Sequence, residues 1–320
     1  MWVQDLPAAR TCPPVKWWHR VRGPSFAGFY RAMPPNPFAN IAADPEKLRQ
    51  ALALPAPEKT FVIHFTPRSG SSWLTDICEQ TGRLGRPGEM FSPRFVPDIA
   101  RHMGIDNIDD YARAIARDRT VGGVFGFEIT FFQLRRTFGG PKPFLAHFQD
   151  ATHFWLIRED IVAQAVSLSK KAQSRIGHAV HGDADALARA DDEFAYDAQD
   201  IEKWVGHIRK MEVQAEKFFA NYPLTPVRMS YERMTARPPE AVVNEIAKAI
   251  GIGPVAGKST PIRTGHAKIG TDKNADFAAR FRKDRAGLIA DLEAERAAML
   301  AALDETPDAG RRRGWWPFSR

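Results

Sequence analysis

Residues 60–73, with the sequence TFVIHFTPRSGSSW, constrain the fold of this chain more than any other segment. Residues 60–65 have the length and the β-branched and aromatic content of a strand. The loop after it ends in Ser71 and Ser72, which are candidates for the N-cap of a helix. A strand that runs through small residues into a helix gathers unpaired N–H groups at the positive helix end. Arg68 adds a full charge, so the loop is predicted to bind an anion.

This loop is neither of two common nucleotide-binding loops. A Walker A loop needs Gly, four further residues and then Gly-Lys-Ser/Thr, and a dinucleotide fingerprint needs three spaced Gly residues. Here there is one Gly, Gly70, no Lys, and a shorter span. Taken alone, PRSGSS is as readily interpreted as an ordinary turn between a strand and a helix. Other motifs must therefore decide between the two interpretations.

The composition is that of an ordinary globular protein. The chain has 320 residues, of which 44% are hydrophobic and 26% charged, enough for one large α/β domain or two small ones. Cys12 and Cys78 are too few and too far apart for a disulfide framework or a zinc site, which favours a cytoplasmic location. No apolar run approaches the ~18 residues of a membrane span, and the N-terminus lacks the apolar core of a secretory signal.

Both ends of the chain combine basic and aromatic residues, in residues 16–20 (KWWHR) and 311–320 (RRRGWWPFSR). Together with a net charge of +7, they could give peripheral contact with the anionic inner face of a membrane. We favour arms that pack on the domain, or loose tails, because neither segment has the pattern of a long amphipathic helix. Nucleic acid is not expected as a partner, since no recognised binding motif accompanies the charge.

The middle of the chain alternates strand and helix patterns, which predicts a largely parallel sheet in a single domain. We divide the chain into an N-terminal extension (1–58), the domain (59–305) and a basic, aromatic tail (306–320). The predicted strands cover residues 60–65, 123–129, 152–157 and 226–230, and the predicted helices cover residues 73–80, 109–116, 160–174, 197–220, 238–250 and 274–303. The last helix has an apolar stripe that either packs on the domain's own core or forms a homodimer seam.

A second motif, THFWLIREDIVAQAVSLS in residues 152–169, resembles the first in its arrangement. An apolar strand ends at Arg158, Asp160 can cap the helix that follows, and Ser167 lies about two turns further on. Arg supplies a fork of donors and Ser a hydroxyl, so the two can hold one phosphate. Alone, this pattern usually forms a surface ion pair. With the first loop it predicts two anion sites at one edge of a parallel sheet.

The order of PRSGSSWL, GRPGEMF and REDIVAQAVSLS along the chain resembles the sulfotransferases, in particular the bacterial branch typified by trehalose 2-sulfotransferase. The similarity continues through residues 196–219 and VRMSYERM, then weakly to RFRKD, and so covers about residues 60–285. It implies an α/β, three-layer sandwich with a central, mainly parallel sheet related to P-loop NTPases. It also implies transfer of a sulfuryl group from 3′-phosphoadenosine-5′-phosphosulfate (PAPS) to a hydroxyl of a carbohydrate or glycolipid.

The resemblance also implies roles for individual residues. Glu89 falls on the proposed general base, Arg68 would stabilise charge on the leaving phosphate, and Tyr231 would lie beside the adenine. No metal is required. The expected donor-binding residues are Arg68, Ser69, Gly70, Ser71 and Ser72 for the 5′-phosphosulfate, and Arg158 and Ser167 for the 3′-phosphate. The alternative for Glu89 is a plain turn carboxylate or an ion-pair partner of Arg86 or Arg94.

The acceptor half departs from the trehalose enzyme. Arg86 replaces an acidic residue, and Ser169, Lys170 and Lys171 replace a segment that bears a Trp. We therefore do not expect trehalose as the acceptor. A basic wall of Arg86, Lys170 and Lys171 suits an acceptor with its own negative charge, unless these side chains simply face water.

Two other functions remain open at the level of sequence. One is a P-loop-type kinase, which would use magnesium and a nucleoside triphosphate and which the missing Gly-Lys-Ser/Thr disfavours. The other is a nucleotide-binding protein that keeps the phosphate-binding loops but has no sulfotransferase activity.

Overall fold

The computed structural model describes residues 36–174, 184–256, 261–264 and 270–305. The basic, aromatic segments at residues 16–20 and 311–320 lie outside these ranges, as does Cys12. Cys78 is buried, which raises the pKa of its thiol. Within the described residues, no helix combines the length and the apolar character needed to span a membrane.

The described part of the chain contains a sheet of four parallel strands in the order β2–β1–β3–β4. The strands are β1 (Lys59–Phe65), β2 (Val124–Ile129), β3 (Thr152–Ile157) and β4 (Val227–Ser230). These agree with the predicted strands to within one residue at each end. Since β1 is flanked by β2 and β3, the loops that leave these three strands meet at one edge.

Helices connect and cover the strands. In chain order they are α1 (Pro45–Ala53), α2 (Ser71–Gln80), α3 (Val96–Met103), α4 (Ile108–Asp118), α5 (Phe131–Phe138), α6 (Pro141–Phe148), α7 (Ile161–Ser174), α8 (Ala184–Asp192), α9 (Ala198–Asn221), α10 (Tyr231–Thr235), α11 (Pro239–Ala249), α12 (Asp272–Asp284) and α13 (Ala286–Ala301).

Apolar side chains on both faces of the sheet produce three layers. On one face an aromatic core packs the strands against α3 to α6 and α9, with Phe127 and Trp155 almost fully buried. On the other face Ile63 and Leu156 pack against α2 and α11. Because every strand is covered on both sides, the strands are near-continuous apolar runs rather than alternating ones. The predicted three-layer α/β sandwich is confirmed.

The start of α2 differs from the prediction. The N-cap is Gly70 rather than Ser71 or Ser72, and it makes no side-chain capping bond. Gly70 has a φ of 85°, and a Cβ there would lie 2.5 Å from the ring of Tyr231. Only glycine meets both the left-handed backbone and this close approach.

The predicted last helix over residues 274–303 is wrong, because the chain breaks at Arg285. This residue has φ −130° and ψ 36°, outside the helical range, and separates α12 from α13. Its guanidinium donates to Glu202 on α9 at 2.8 Å. The break lets Phe281 and Leu292 enter the same core against α7 and α9. The apolar stripe therefore packs on the protein's own core.

Residues 36–58 pack on the domain although they precede its predicted boundary. Phe38 is buried edge-on against Tyr111, with ring centroids 5.6 Å apart. Leu48 of α1 packs against the same aromatic core. The division at residue 58 stays a prediction.

Candidate active site

The loop between β1 and α2 is held in a fixed shape by α7. Gln164 of α7 donates to the hydroxyl of Thr66 and to the carbonyl of Pro67, both at 2.8 Å. Arg68 follows with a φ of 67°, which non-glycine residues seldom adopt. Strained backbone of this kind persists only where its surroundings enforce it, and it is concentrated at functional sites.

Arg68 joins the two predicted anion-binding motifs. Its Nε donates to the hydroxyl of Ser167 at 2.9 Å, and Arg158 approaches its carbonyl at 3.4 Å. Burial, and secondly the neighbouring Arg158, lower the pKa of Arg68. The Arg158 guanidinium lies over the Tyr231 ring, 4.7 Å from its centroid. Two cations are thus held close together, an arrangement that a bound anion would stabilise.

The hydroxyl of Ser69 points to the same conclusion. Ser69 is fully buried, and its Oγ has no hydrogen-bond partner among the described residues. A buried hydroxyl without a partner is rare in native proteins. Ser71 and Ser72 begin α2 directly beside it, where the helix leaves its first N–H groups without intrahelical partners. The loop has the donors that a phosphate or phosphosulfate group requires.

Hydrogen bonds to α10 hold the turn between β3 and α7 in place. Glu232 accepts from the N–H groups of Glu159 and Asp160 at 2.9 and 3.2 Å, and its carboxylate lies 3.6 Å from Arg158. Asp160 accepts from the N–H of Ala163 at 2.9 Å and so caps α7, which confirms the predicted cap.

Arg296 of α13 fastens the same turn from the other side. Its guanidinium donates to the carbonyls of Arg158 and Glu159, each at 2.7 Å, and to Glu212 at 2.8 Å. Arg209 also pairs with Glu212, and all three charged side chains are almost fully buried. Arg296 could not be identified from the sequence, because it lies 84 to 138 residues from the groups that it binds.

Glu89 lies in a turn whose backbone is bound by three other elements. Gly88 accepts from the N–H of Glu128 on β2 at 3.0 Å. The hydroxyls of Tyr111 and Thr137 donate to the carbonyls of Met90 and Phe91, each at 2.7 Å. The backbone on both sides of Glu89 is therefore held by neutral hydrogen bonds.

The surroundings of Glu89 suit a general base. Burial raises its pKa, while a hydrogen bond from Gln133 and the charges of Lys171 and Arg94 act in the opposite direction. Burial lowers the pKa of Lys171. The charge of Arg68 lowers it further, and the charge of Glu89 raises it. The general base candidate and the anion loop therefore belong to one site. A carboxylate with a raised pKa removes a proton more effectively near neutral pH.

Sequence reasoning missed a second carboxyl group, Glu128 at the end of β2. It is 4% exposed, and burial, with Glu89 as the next cause, raises its pKa to about 8. Its Oε2 has no partner among the described residues. A detectable signal was present, because Glu128 is a carboxylate inside the otherwise apolar run VFGFEI.

Two cavities adjoin these groups. Glu89 lines one together with Arg86, Phe95, Ile99 and Arg119. Arg68, Ser167 and Lys171 line the other, next to Asn274. Within the described ranges, no three His, Cys, Asp or Glu side chains are grouped so that they could hold a metal ion.

Lys170 does not provide free charge for the predicted basic wall. It is 7% exposed, and its ammonium group is bound to Asp191 on α8. Arg86 and Lys171 remain beside the cavities without such a bond among the described ion pairs.

Comparison with known proteins finds a family that part of the chain resembles. A sequence model of the Stf0 sulphotransferase family matches residues 138–284. This segment, just under half of the chain, is similar to the sulfotransferases. The matched segment includes Arg158, Ser167 and Tyr231, whereas the loop at Arg68 and the turn at Glu89 precede it.

Among solved structures, a sulfotransferase from Alicyclobacillus acidocaldarius is similar to this one at 17% sequence identity and a TM-score of 0.40. The similarity covers 75% of this chain and 96% of the other. No curated protein sequence matches the chain.

Proposed function

We propose that this protein is a sulfotransferase that moves the sulfuryl group of PAPS to a hydroxyl of a carbohydrate or glycolipid by in-line displacement. The bond between Arg68 and Ser167 carries the proposal, since it joins the two anion-binding motifs at 2.9 Å. A donor with phosphate groups at both its 5′ and 3′ positions needs two anion-binding motifs that lie close together. The resemblance of the loop, turn and helix motifs to sulfotransferases supports PAPS as that donor.

The donor would bind along the edge where β1 and β3 end. Residues Arg68 to Ser72 surround the 5′-phosphosulfate, and the unpartnered hydroxyl of Ser69 gains an acceptor there. Arg158 and Ser167 hold the 3′-phosphate. The ring of Tyr231, already stacked on Arg158, flanks the adenine.

Glu89 would take the proton of the acceptor hydroxyl as its oxygen attacks the sulfur. The new S–O bond forms while the bond from sulfur to the phosphate oxygen breaks. Arg68 and the N-terminus of α2 stabilise the negative charge that develops on the leaving phosphate. PAPS supplies the sulfuryl group and leaves as 3′,5′-adenosine bisphosphate.

The acceptor would enter through the cavity that contains Glu89. Arg86 and Arg119 supply positive charge to its wall, and Phe95 supplies an exposed apolar surface. Sugars commonly pack their apolar faces on aromatic rings, and anionic groups pair with arginine. An acidic saccharide or a glycolipid with an anionic headgroup meets both conditions.

The test is transfer of labelled sulfate from PAPS to a panel of neutral and acidic glycans and glycolipids. We expect the Glu89→Gln variant to lose roughly 10²- to 10⁴-fold in kcat. Its affinity for 3′,5′-adenosine bisphosphate should stay unchanged. The exposed Asp98→Asn variant, on α3, serves as the matched control. Full activity of Glu89→Gln would disprove the role of Glu89, and a failure of the wild-type protein to bind the bisphosphate would disprove the proposed donor.

A further inference from the structure

The side chain of Glu128 lies on the face of the sheet that α2 covers. Glu128 is paired in register with Ile63 of β1, whose side chain packs on that face. Its neighbours Phe127 and Ile129 pack into the aromatic core on the opposite face. The Glu128 carboxyl group is hydrogen-bonded to Ser71, the first residue of α2. It therefore lies at the helix end that we propose as the binding site of the 5′-phosphosulfate.

Among the residues that the structure describes, no cation forms an ion pair with Glu128. From α2 it meets the hydroxyl of Ser71, from the turn it meets the carboxylate of Glu89, and β1 opposes it with Ile63. The nearby cations Lys171 and Arg94 act on Glu89. None of the ion pairs in the described ranges involves Glu128.

A buried carboxyl group in such surroundings is stabilised in its neutral form. Burial and then the neighbouring Glu89 raise the pKa of Glu128 to about 8, although the hydrogen bond with Ser71 acts in the opposite direction. The neutral form also has a proton to donate, and Oε2 has no partner in the described structure. An unpartnered, buried polar atom at a helix N-terminus is an independent sign of a ligand at this place.

An anion at the α2 N-terminus distinguishes the two states of Glu128. An ionised Glu128 would repel the anion across a poorly solvated site, whereas the neutral acid can donate a hydrogen bond to it. We propose that neutral Glu128 donates a hydrogen bond to the phosphosulfate end of the donor, so that each donor bound requires a protonated Glu128. This inference rests on the proposed function.

The alternative for a carboxylate in this position is a metal ligand. In P-loop NTPases an aspartate at the end of a neighbouring strand holds magnesium, and it does so while ionised. A neutral Glu128 predicts the opposite behaviour, namely binding that needs a proton and no divalent cation. The two alternatives therefore differ in how binding responds to pH and to magnesium.

The experiment is calorimetric titration of the full chain with 3′,5′-adenosine bisphosphate between pH 6.5 and 9.5. Each pH is measured in two buffers of different ionisation enthalpy, so that proton uptake is measured directly. We expect the wild-type protein to take up protons on binding from about pH 8 upwards. Its affinity should fall by up to roughly tenfold per pH unit above that value. The phosphate groups themselves titrate near pH 6 and do not interfere.

The Glu128→Gln variant imitates the neutral form. It should bind as tightly as wild type at pH 7, take up no extra proton and keep its affinity to high pH. The Glu46→Gln variant, exposed on α1, should behave as the wild type. Thermal melts establish that each variant is folded. If Glu128→Gln does not fold, the proton uptake of the wild-type protein in the two buffers still decides the matter.

The outcomes separate the inference from the proposed function. If the wild-type protein does not bind the bisphosphate at any pH, the proposed donor is wrong. Binding without proton uptake, or an unchanged pH slope in Glu128→Gln, overturns the inference but leaves the donor class in place. Magnesium-dependent ATP binding that Glu128→Gln abolishes would identify Glu128 as an ionised metal ligand, which also overturns it.

Discussion

The turn that carries Glu89 and the turn that carries Arg158 are fixed by different chemistry. Neutral hydroxyls from Tyr111 and Thr137 hold the first against the aromatic core. Charged side chains hold the second, with the buried Arg296 on one side and the partly exposed Glu232 on the other. Low polarity suits a general base, because burial keeps the pKa of its carboxyl group high. Fixed cations suit an anion site, because they attract the ligand. The two turns differ as their proposed tasks differ.

The largest effect is expected from breaking the ionic turn with Arg296→Ala. This change removes the donors to two backbone carbonyls and leaves Glu212 with Arg209 as its remaining described partner. Removing one member of a buried ion cluster costs about 3 kcal/mol or more in the free energy of unfolding. Urea unfolding at pH 7 measures it.

Two variants accompany Arg296→Ala. Arg296→Lys keeps the positive charge but loses the several donors of the guanidinium group. Its free energy of unfolding should lie between those of the wild type and Arg296→Ala. The exposed Arg101→Ala should change stability by less than about 1 kcal/mol. Equal stabilities of Arg296→Ala and Arg101→Ala would show that the cluster does not fix the turn.

Acid should destabilise the protein through two paired histidines of the aromatic core. His153 donates to the carbonyl of Phe148 from Nε2, so its Nδ1 accepts from Nε2 of His64 at 2.9 Å and both rings are neutral. Burial lowers both pKa values, that of His153 to about 4. The unfolded state binds protons first, so stability is full above pH 6.5 and is lost as the pH falls towards 4.

We expect a loss on the order of 2 kcal/mol between pH 7 and pH 5, measured by urea unfolding. The matched comparison is His153→Gln, which should show a shallower dependence on pH because one buried titrating ring is gone. If both proteins lose the same stability over this range, other groups cause the acid sensitivity.

The smallest effect is expected from Tyr111→Phe at the neutral turn. The change leaves the ring packed against Phe38 and Phe91 and removes only the bond to the carbonyl of Met90. Loss of one buried hydrogen bond costs about 1 kcal/mol. A loss of stability as large as that of Arg296→Ala would contradict the contrast between the two turns.

Most of the fold could be predicted because its signals are local. The four strands are apolar runs of the right length, and Asp160 caps α7 as its position before that helix indicates. The break at Arg285 was missed, since Gly287 beside it is compatible with a continuous helix and its cause is the packing of two helices on α7 and α9. Likewise, Ser71 has the chemistry of an N-cap, yet close packing against Tyr231 requires Gly70 instead.

In the candidate site, too, some residues could be predicted from the sequence and others could not. The motifs placed Arg68 and Ser167 near one edge of the sheet, and the structure joins them by a hydrogen bond. Glu128 was missed although its place inside an apolar strand was a local signal. Arg296 was missed because it acts through contacts with residues far away in the chain. Lys170 was misjudged for the same reason, as its partner Asp191 lies on another helix. Sequence motifs identify the groups that could touch a ligand better than those that support or oppose them.

The contact of Tyr231 with both loops has a consequence for how fast a ligand can bind. The ring lies against Gly70 on one side and under the Arg158 guanidinium on the other. Both loops are therefore ordered before any ligand arrives, and the loss of conformational entropy belongs to folding rather than to binding. Association should then approach the rate of diffusional encounter, and differences in affinity between ligands should appear mainly in their rates of dissociation.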